Sequence, residues 1–381
     1  QRATRRSSCY GSGHSREKKS LGYAVSEVGG DEVKQSGSNN VIQALAAKAP
    51  GVQVTGSGGT PGASSKILLR GNATFTGENQ PLIVVDGVPI DNSTTQTTAG
   101  DYPFNQNLSG VNNANRAIDL NPDDIESVTV LKGPAAAALY GARAGNGAII
   151  YTTKRGKAGQ GKSLGVTVSQ ELSFNQVNKL PELQSTYAQG VGGGTPAGDA
   201  NATFVEGDPG PDNTYFTADD GSIGTSASWG PSIASLGIDT YDNPGNFFKT
   251  GVSSNTNITV NGGTDRTGFR LNVGYLTDNG MVPNTNYNRF SVRLTADTRL
   301  NDKIKVGGTV NYINSNQTAA QNGSNLAGIM LGLMRAPASY DLRDYQYDNG
   351  NQRTYFAFYD NPYFTAFENP FTSDINRMLG N

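Results

Sequence analysis

The sequence predicts two architectures in succession: a small α+β domain, then antiparallel strands of a transmembrane β-barrel, too few to close one. Three observations predict this. Short strands and short helices alternate between Leu21 and Gly156. Beyond Gly156 the pattern becomes a strict alternation of apolar and polar residues. No apolar run approaches the ~18–20 residues of a spanning helix, so a membrane role requires a barrel, the other structure that satisfies its backbone in lipid.

Composition narrows the function. Of 381 residues 16% are charged, and the net charge is -2. A typical soluble domain carries roughly 25% charged residues. There is no basic excess of the kind that holds nucleic acid. Cys9 is the single cysteine, which excludes an internal disulfide or a thiolate metal cluster. His14, the single histidine, lies in the N-terminal stretch, so neither a Ser-His-Asp triad nor a histidine-ligated zinc site is expected. Composition thus offers no cysteine- or histidine-based catalytic or metal site, and no cofactor is expected. Residues 1–20 are expected to be disordered: they are polar and Arg-rich and lack the apolar centre of a signal peptide. Any export signal would therefore lie upstream.

Residues 21–156 carry the α+β signals in order. Ser38, Asn39 and Asn40 offer caps for a helix over Val41 to Ala49, which Pro50-Gly51 ends. Lys66 to Arg70 and Leu82 to Asp86 are short strands closed by Gly71 and Gly87. A polar Ser/Thr/Asn loop follows, up to Ala114. Asn121 then caps a short helical turn holding Pro122, Asp123 and Asp124. Ser127 to Leu131 is β-branched and alternating. After Lys132-Gly133 a helix opens at Pro134, runs through four alanines to Tyr140, and stops at Gly141. Ala148 to Lys154 returns as a strand. Small residues dominate this block, so neighbouring backbone must approach closely, and Gly71, Gly87, Gly141, Gly145 and Gly147 suit tight turns beside an enclosing wall. Arg70 and Asp86 are candidates for a polar latch inside the domain, with surface solvation as the competing reading.

Residues 157–381 carry the period-two runs. Leu164, Val166, Val168, Leu172 and Phe174 form the first apolar face. Phe269 to Tyr275, Phe290 to Leu300 and Ile304 to Tyr312 repeat the pattern, and Asn257 to Asn261 is a shorter segment of the same kind. A soluble sandwich also alternates. Three features favour a membrane barrel: runs longer than the ~5–6 residues of soluble strands, full charges on the polar faces that suit a hydrated lumen, and connections that alternate between tight turns and long loops. In that arrangement Phe174, Tyr275, Phe290 and Tyr312 lie on apolar faces near the outer strand ends, as part of an interfacial aromatic girdle. Arg at Leu294, facing lipid, is then expected to impair assembly far more than Arg at Thr295.

The motifs resemble those of the SusC/RagA family of TonB-linked outer-membrane transporters. REKKSLGYA (Arg16 to Ala24), NNVIQALAAKAPGVQV (Asn39 to Val54), GTPGASSKILLRG (Gly59 to Gly71) and PLIVVDGVPIDN (Pro81 to Asn92) are similar to the family's plug, as is DIESVTVLKGPAAAALYGARAGNGAIIYTTKRG ending at Gly156. DNPYFTAFENPFTSDINRMLGN (Asp360 to Asn381) resembles a stretch of its barrels. The resemblance implies a plug domain over 21–156 and the first strands of a plugged barrel of about 22 strands, with long extracellular loops. It assigns a structural or gating role to Arg70, Gly71, Asp86, Gly87, Lys132, Gly133, Tyr140, Gly141 and Gly147. It further implies location in the outer membrane among its lipids. The implied activity is import of an oligosaccharide or peptide, energised by TonB from the periplasm and aided by a SusD-like surface lipoprotein.

Two departures qualify the match. Ala3 to His14 lacks the apolar, β-branched TonB box that pairs as an added strand, and the chain is expected to be a fragment. A siderophore or cobalamin receptor of the same architecture stays open, as does a secreted β-rich glycan-binding protein. Two loop features also stay open. Asp212, Asp219 and Asp220 can supply oxygen ligands to calcium, or simply build turns. The aromatic stretch Tyr340 to Phe371 can stack on sugars, grip a partner, or pack against the barrel mouth.

Overall fold

The computed structural model describes residues 25–56, 59–69, 71, 79–92, 116–156, 164–193, 225–301, 303–321 and 328–380, and the short pieces 7–10, 14–17, 100–101, 105–109, 202–204, 207–208 and 222–223. Its first part is a mixed α/β domain built from β1 (Val25–Gly29), α1 (Gly30–Lys34), β2 (Val52–Gly56), β3 (Ser65–Leu69), β4 (Leu82–Val85), β5 (Val88–Ile90), β6 (Ile125–Leu131), α2 (Pro134–Tyr140) and β7 (Ala148–Thr153). Five of these strands form one sheet in the order β1-β6-β7-β4-β5, with β7 and β4 parallel and the other pairs antiparallel. β2 and β3 pair as a separate hairpin.

Both faces of this sheet are covered, which explains why Leu82–Val85 is apolar at every position. Val28, Ile83, Val85, Val128, Val130, Ile149 and Tyr151 pack on one side with Val33, Ile42, Leu45 and Ile67. Leu82, Val84, Leu131 and Ile150 pack on the other with Ala136, Ala144 and Ala148. The alanines of α2 let that helix lie close to the sheet.

The helix expected over Val41 to Ala49 is not continuous. Asn40 does cap, its Oδ1 accepting from the Ile42 N–H at 2.9 Å. The segment then tightens to a 3-10 turn at Gln43–Leu45 and breaks at Ala47, whose φ is 59°. Val41, Ile42, Ala44 and Leu45 are all fully buried. Tertiary packing, rather than helix propensity, sets this path.

The second part is an open antiparallel sheet of six barrel-like strands in chain order: β8 (Leu164–Asn175), β9 (Gly251–Gly263), β10 (Thr267–Asn279), β11 (Asn286–Arg299), β12 (Lys305–Ala319) and β13 (Phe371–Gly380). The segment read as short at Asn257 to Asn261 is a strand of 13 residues. Its ends, Gly-Val-Ser-Ser and Gly-Gly, carry too little apolar signal to be read as strand, but the ladder to β8 and β10 holds them. Leu164, Val166, Val168, Leu172, Phe174, Tyr275, Leu294, Val310 and Tyr312 are exposed on one face.

Much of the opposite face, expected to be hydrated, is instead buried, above all on β9 to β11. Asn257, Arg270, Asn272, Arg289, Arg293 and Thr295 are buried there, because the first domain fills the space in front of them. Thr295 is 1% exposed, so Arg at that position is no benign control.

Beyond the outer strand ends, two long connections fold on each other. α4 (Asn243–Phe247), α5 (Ile329–Arg335) and α6 (Pro362–Glu368) surround a core of Phe247, Ile329, Leu333, Tyr340, Leu342 and Tyr355, and α3 (Ile233–Leu236) precedes them in the first connection. The buried Asn243 amide donates to the carbonyls of Pro337 and Tyr340 at 3.2 and 2.8 Å. The Gln189 amide donates to the Tyr355 carbonyl at 2.6 Å. In the aromatic stretch, Tyr340 and Tyr355 are therefore core residues of the loops, while Phe358 and Phe367 stay exposed.

Candidate functional site

The site is the seam between the α+β domain and the inward face of the sheet. Its centre is residues 118–124, where the Asn121 side chain accepts from the Asp123 N–H at 3.1 Å and caps the Pro122–Asp124 turn. A capped turn holds successive side chains and carbonyls outward in a fixed fan, and four strands of the sheet reach it. From β9, Asn257 donates to Asp123 at 2.6 Å and accepts from the Asn121 amide at 2.5 Å. From β10, the Arg270 guanidinium meets the Asp124 carboxylate at 2.5 Å. From β11, Arg289 donates to the carbonyls of Ile118 and Leu120 at 2.6 and 3.1 Å. From β13, Arg377 pairs with Asp119 at 2.5 Å.

A second anchor lies beside it. Arg293 on β11 donates to the Asp86 carboxylate at 2.7 Å and to the Thr153 hydroxyl at 2.6 Å. Asp86 also accepts from the backbone and hydroxyl of Thr153, which fixes it against β7. Asp86 adopts φ 48°, a left-handed conformation that aims its carboxylate out of the strand end, toward the sheet. These charges are removed from water and paired. Deleting one partner leaves the other uncompensated, at a cost of about 3–5 kcal/mol per pair.

The outer edge of the seam is more open. Asn39 donates to Ser253 at 2.7 Å and Gln317 to the Pro61 carbonyl at 2.8 Å. Between them lies a cavity of about 560 Å³ lined by residues 37–40, Gln43, 59–63, Ile118, 173–176 and 278–281. Gly62 packs on the Tyr287 ring so closely that a Cβ would collide with it, and Gly274 leaves room for the Asn121 amide.

The glycines singled out from the sequence sit at turns and close approaches of the α+β domain. A Cβ at Gly71, Gly87 or Gly141 would meet nothing within 4 Å. Each has positive φ, a backbone conformation that favours glycine at these positions. Gly145 and Gly147 face neighbours within their own domain, Ala142 and Leu69 with Leu131. Gly133 caps α2, and Lys132 donates to the Pro50 carbonyl at 2.6 Å. Tyr140 and Tyr151 are packed with their phenols raised above the ordinary range by burial. Arg70 and the calcium candidates Asp212, Asp219 and Asp220 lie outside the described residues.

The four aromatics run as a diagonal on the exposed face. Tyr275 and Phe290 are direct cross-strand partners. Tyr312 sits opposite Val292, two positions nearer the tight turns, and Phe174 opposite Val252, in the register row of Asn279.

Sequence reasoning missed Arg270, Arg289, Arg293 and Arg377 as anchors. The available signal was arginine recurring on the polar face of strands that otherwise carry Asn, Ser and Thr there.

A mixed α/β domain seated by buried ion pairs against one face of an open sheet of long antiparallel strands is the arrangement of a plug against barrel-like strands. Residues 17–148 match the TonB-dependent Receptor Plug Domain family. The chain is 30% identical to the TonB-dependent receptor SusC of Bacteroides thetaiotaomicron over 86% of its own length and 28% of that protein's. It is 29% identical to the TonB-dependent receptor P39 of Formosa agariphila over 74% of its length and 22% of the relative's. Its fold is similar to the RagAB peptide importer in the "open-open" state, with TM-score 0.71 and 21% identity over 98% of this chain and 40% of that one. The chain belongs to the TonB-dependent receptors, of the SusC/RagA type. These are outer-membrane proteins, transporters rather than enzymes. The chain spans less than a third of the length of the curated relatives named here.

Proposed function

We propose that this chain gates TonB-dependent import of an oligosaccharide or peptide, and that the plug opens in two unequal parts. The observation that carries this reading is the contrast between residues 118–124 and β1. The former are gripped by four wall strands through buried charges and amides. Among the described residues β1 is an edge strand of its sheet, paired with β6 over five register pairs. Tension applied N-terminal to Val25 acts on β1 first. It then reaches α1, whose Lys34 pairs with Asp123. Peeling β1 and α1 exposes the apolar Val28 and Val33 and opens one flank, while the 118–124 turn stays on the wall. Edge elements with few partners open at low free energy, and buried networks do not.

The cavity at the outer edge of the seam is the proposed seat of the substrate against the plug. Its lining offers amides, hydroxyls, backbone and the Asp278 carboxylate, with no lysine or arginine. A SusD-like lipoprotein would hold substrate over the folded outer loops. Alignment with SusC over most of this chain favours this reading over a siderophore receptor.

Disulfides test the two-part opening in the intact receptor. A Glu27→Cys and Thr129→Cys pair joins register partners on β1 and β6. Oxidised, it is expected to abolish uptake while surface binding persists, and reductant is expected to restore uptake. An Asn121→Cys and Asn257→Cys pair locks the turn to the wall and is expected to leave uptake intact. Uptake that survives the first bridge, or is lost with the second, contradicts the proposal.

A further inference from the structure

We infer that the outward face of β11 to β13 beyond the aromatic diagonal is a contact surface for the sugar headgroups of outer-leaflet glycolipid. This rests on the reading that the apolar face below it contacts hydrocarbon. β12 illustrates the division. Its outward residues are Val306, Gly308, Val310 and Tyr312, then Asn314, Asn316 and Thr318. The strand has 15 residues, whereas crossing the hydrocarbon takes about 9–11. The surplus is polar and lies at the long-loop end.

The neighbouring strands repeat the change at matched register. Phe290 on β11 is followed outward by Asn288 and Asn286, and Met378 on β13 by Asn376 and Asp374. The groups are knitted together across the strands. The Tyr312 hydroxyl donates to Asn376 at 3.0 Å, and the Asn314 amide donates to Asn376 and Asp374 at 3.0 and 3.2 Å.

The chemistry of this surface selects its partner. Side-chain amides donate and accept together, which matches the paired roles of sugar hydroxyls. No lysine or arginine stands among the outward positions of these strands beyond the diagonal, so phosphate has no cation to meet. A second copy of the chain is a poor fit as well, because stable interfaces need an apolar centre and these rows have none. Continuity with the exposed apolar band places the surface at the depth where a lipid's headgroup follows its chains.

The test uses the intact receptor extracted from its own outer membrane in mild detergent, with retained glycolipid counted by native mass spectrometry. The Asn288→Ala, Asn316→Ala, Asn376→Ala triple variant is expected to retain several-fold less glycolipid than wild type, with unchanged particle mass otherwise. Wild-type retention is expected to survive chelation of divalent ions. Equal retention by the triple variant overturns the inference. Loss of glycolipid on chelation, or in Asp374→Asn alone, overturns it in favour of a metal-bridged phosphate, and a change in copies per particle overturns it in favour of self-association. A fluorophore on Leu294→Cys, quenched by brominated lipid in the same preparations, keeps the lipid-facing reading separate: quenching there with equal retention removes only the glycolipid contact.

Discussion

Arg293 and Asp86 condense the logic of the plug into two side chains, 5% and 3% exposed. Neither charge is tolerable alone in that setting, so each fixes the other and Thr153 fixes both. Arg293→Ala is expected to loosen the plug by about 3–5 kcal/mol, and adding Asp86→Asn should recover part of the loss. Hydrogen exchange in β4 and β7 measures both, and equal protection in all three proteins would contradict the pairing. Tyr151 gives a pH signature. Burial raises its phenol above the unfolded value of 10.0, so the stability it contributes is complete below about pH 10 and lost as pH rises further. Tyr151→Phe is expected to flatten that alkaline loss, read as the plug's unfolding midpoint against pH. At this scale the sequence was only partly legible. Asp86 and Asp124 stood out beside a strand end and in a capped turn, but the arginines that complete them lie 207 and 146 residues away in the chain. Nothing local links a period-two strand to a turn so distant.

At the scale of elements, the strands were legible where an apolar face was unbroken. β8, β10, β11 and β12 carry alternating Leu, Val, Phe and Tyr, and their registers put those residues on one exposed face. β9 was half hidden, because Ser253, Asn255 and Asn257 lie on its plug-facing side and small residues fill both ends. The helix expected over Val41 to Ala49 kept its one-sided burial, with Val41, Ile42, Ala44, Leu45 and Ala49 inside and Gln43, Ala46 and Ala47 exposed, but the chain turns at Ala47, whose φ is 59°. The exposed face now supplies a sharper contrast than Leu294 against Thr295. Leu294→Arg, at the level of the apolar band, is expected to cost about 2–4 kcal/mol of barrel stability. Asn316→Arg, in the outer polar rows, is expected to cost about 0–1 kcal/mol. Folded-barrel yield on a heat-modifiability gel reads both, and equal yields would contradict the assigned depth.

In the molecule as a whole, the two faces of one sheet divide the labour. One face carries Val, Leu, Phe and Tyr and stands open. The other carries Asn, Arg and Thr and closes on a plug whose carboxylates and carbonyls neutralise it. The period-two pattern announced the two faces. It did not announce that Arg270, Arg289 and Arg293 on the charged face would be buried, because that depends on a domain encoded more than a hundred residues earlier. The most direct measurement is a cysteine scan along β11 in the intact receptor, with Cys9→Ser as background and an environment-sensitive fluorophore at each site. Brominated lipid is expected to quench labels at Val292, Leu294 and Ala296 and to spare those at Ser291, Arg293 and Thr295. Quenching without alternation, or on the plug-facing set alone, would contradict the assignment of lipid to one face and plug to the other.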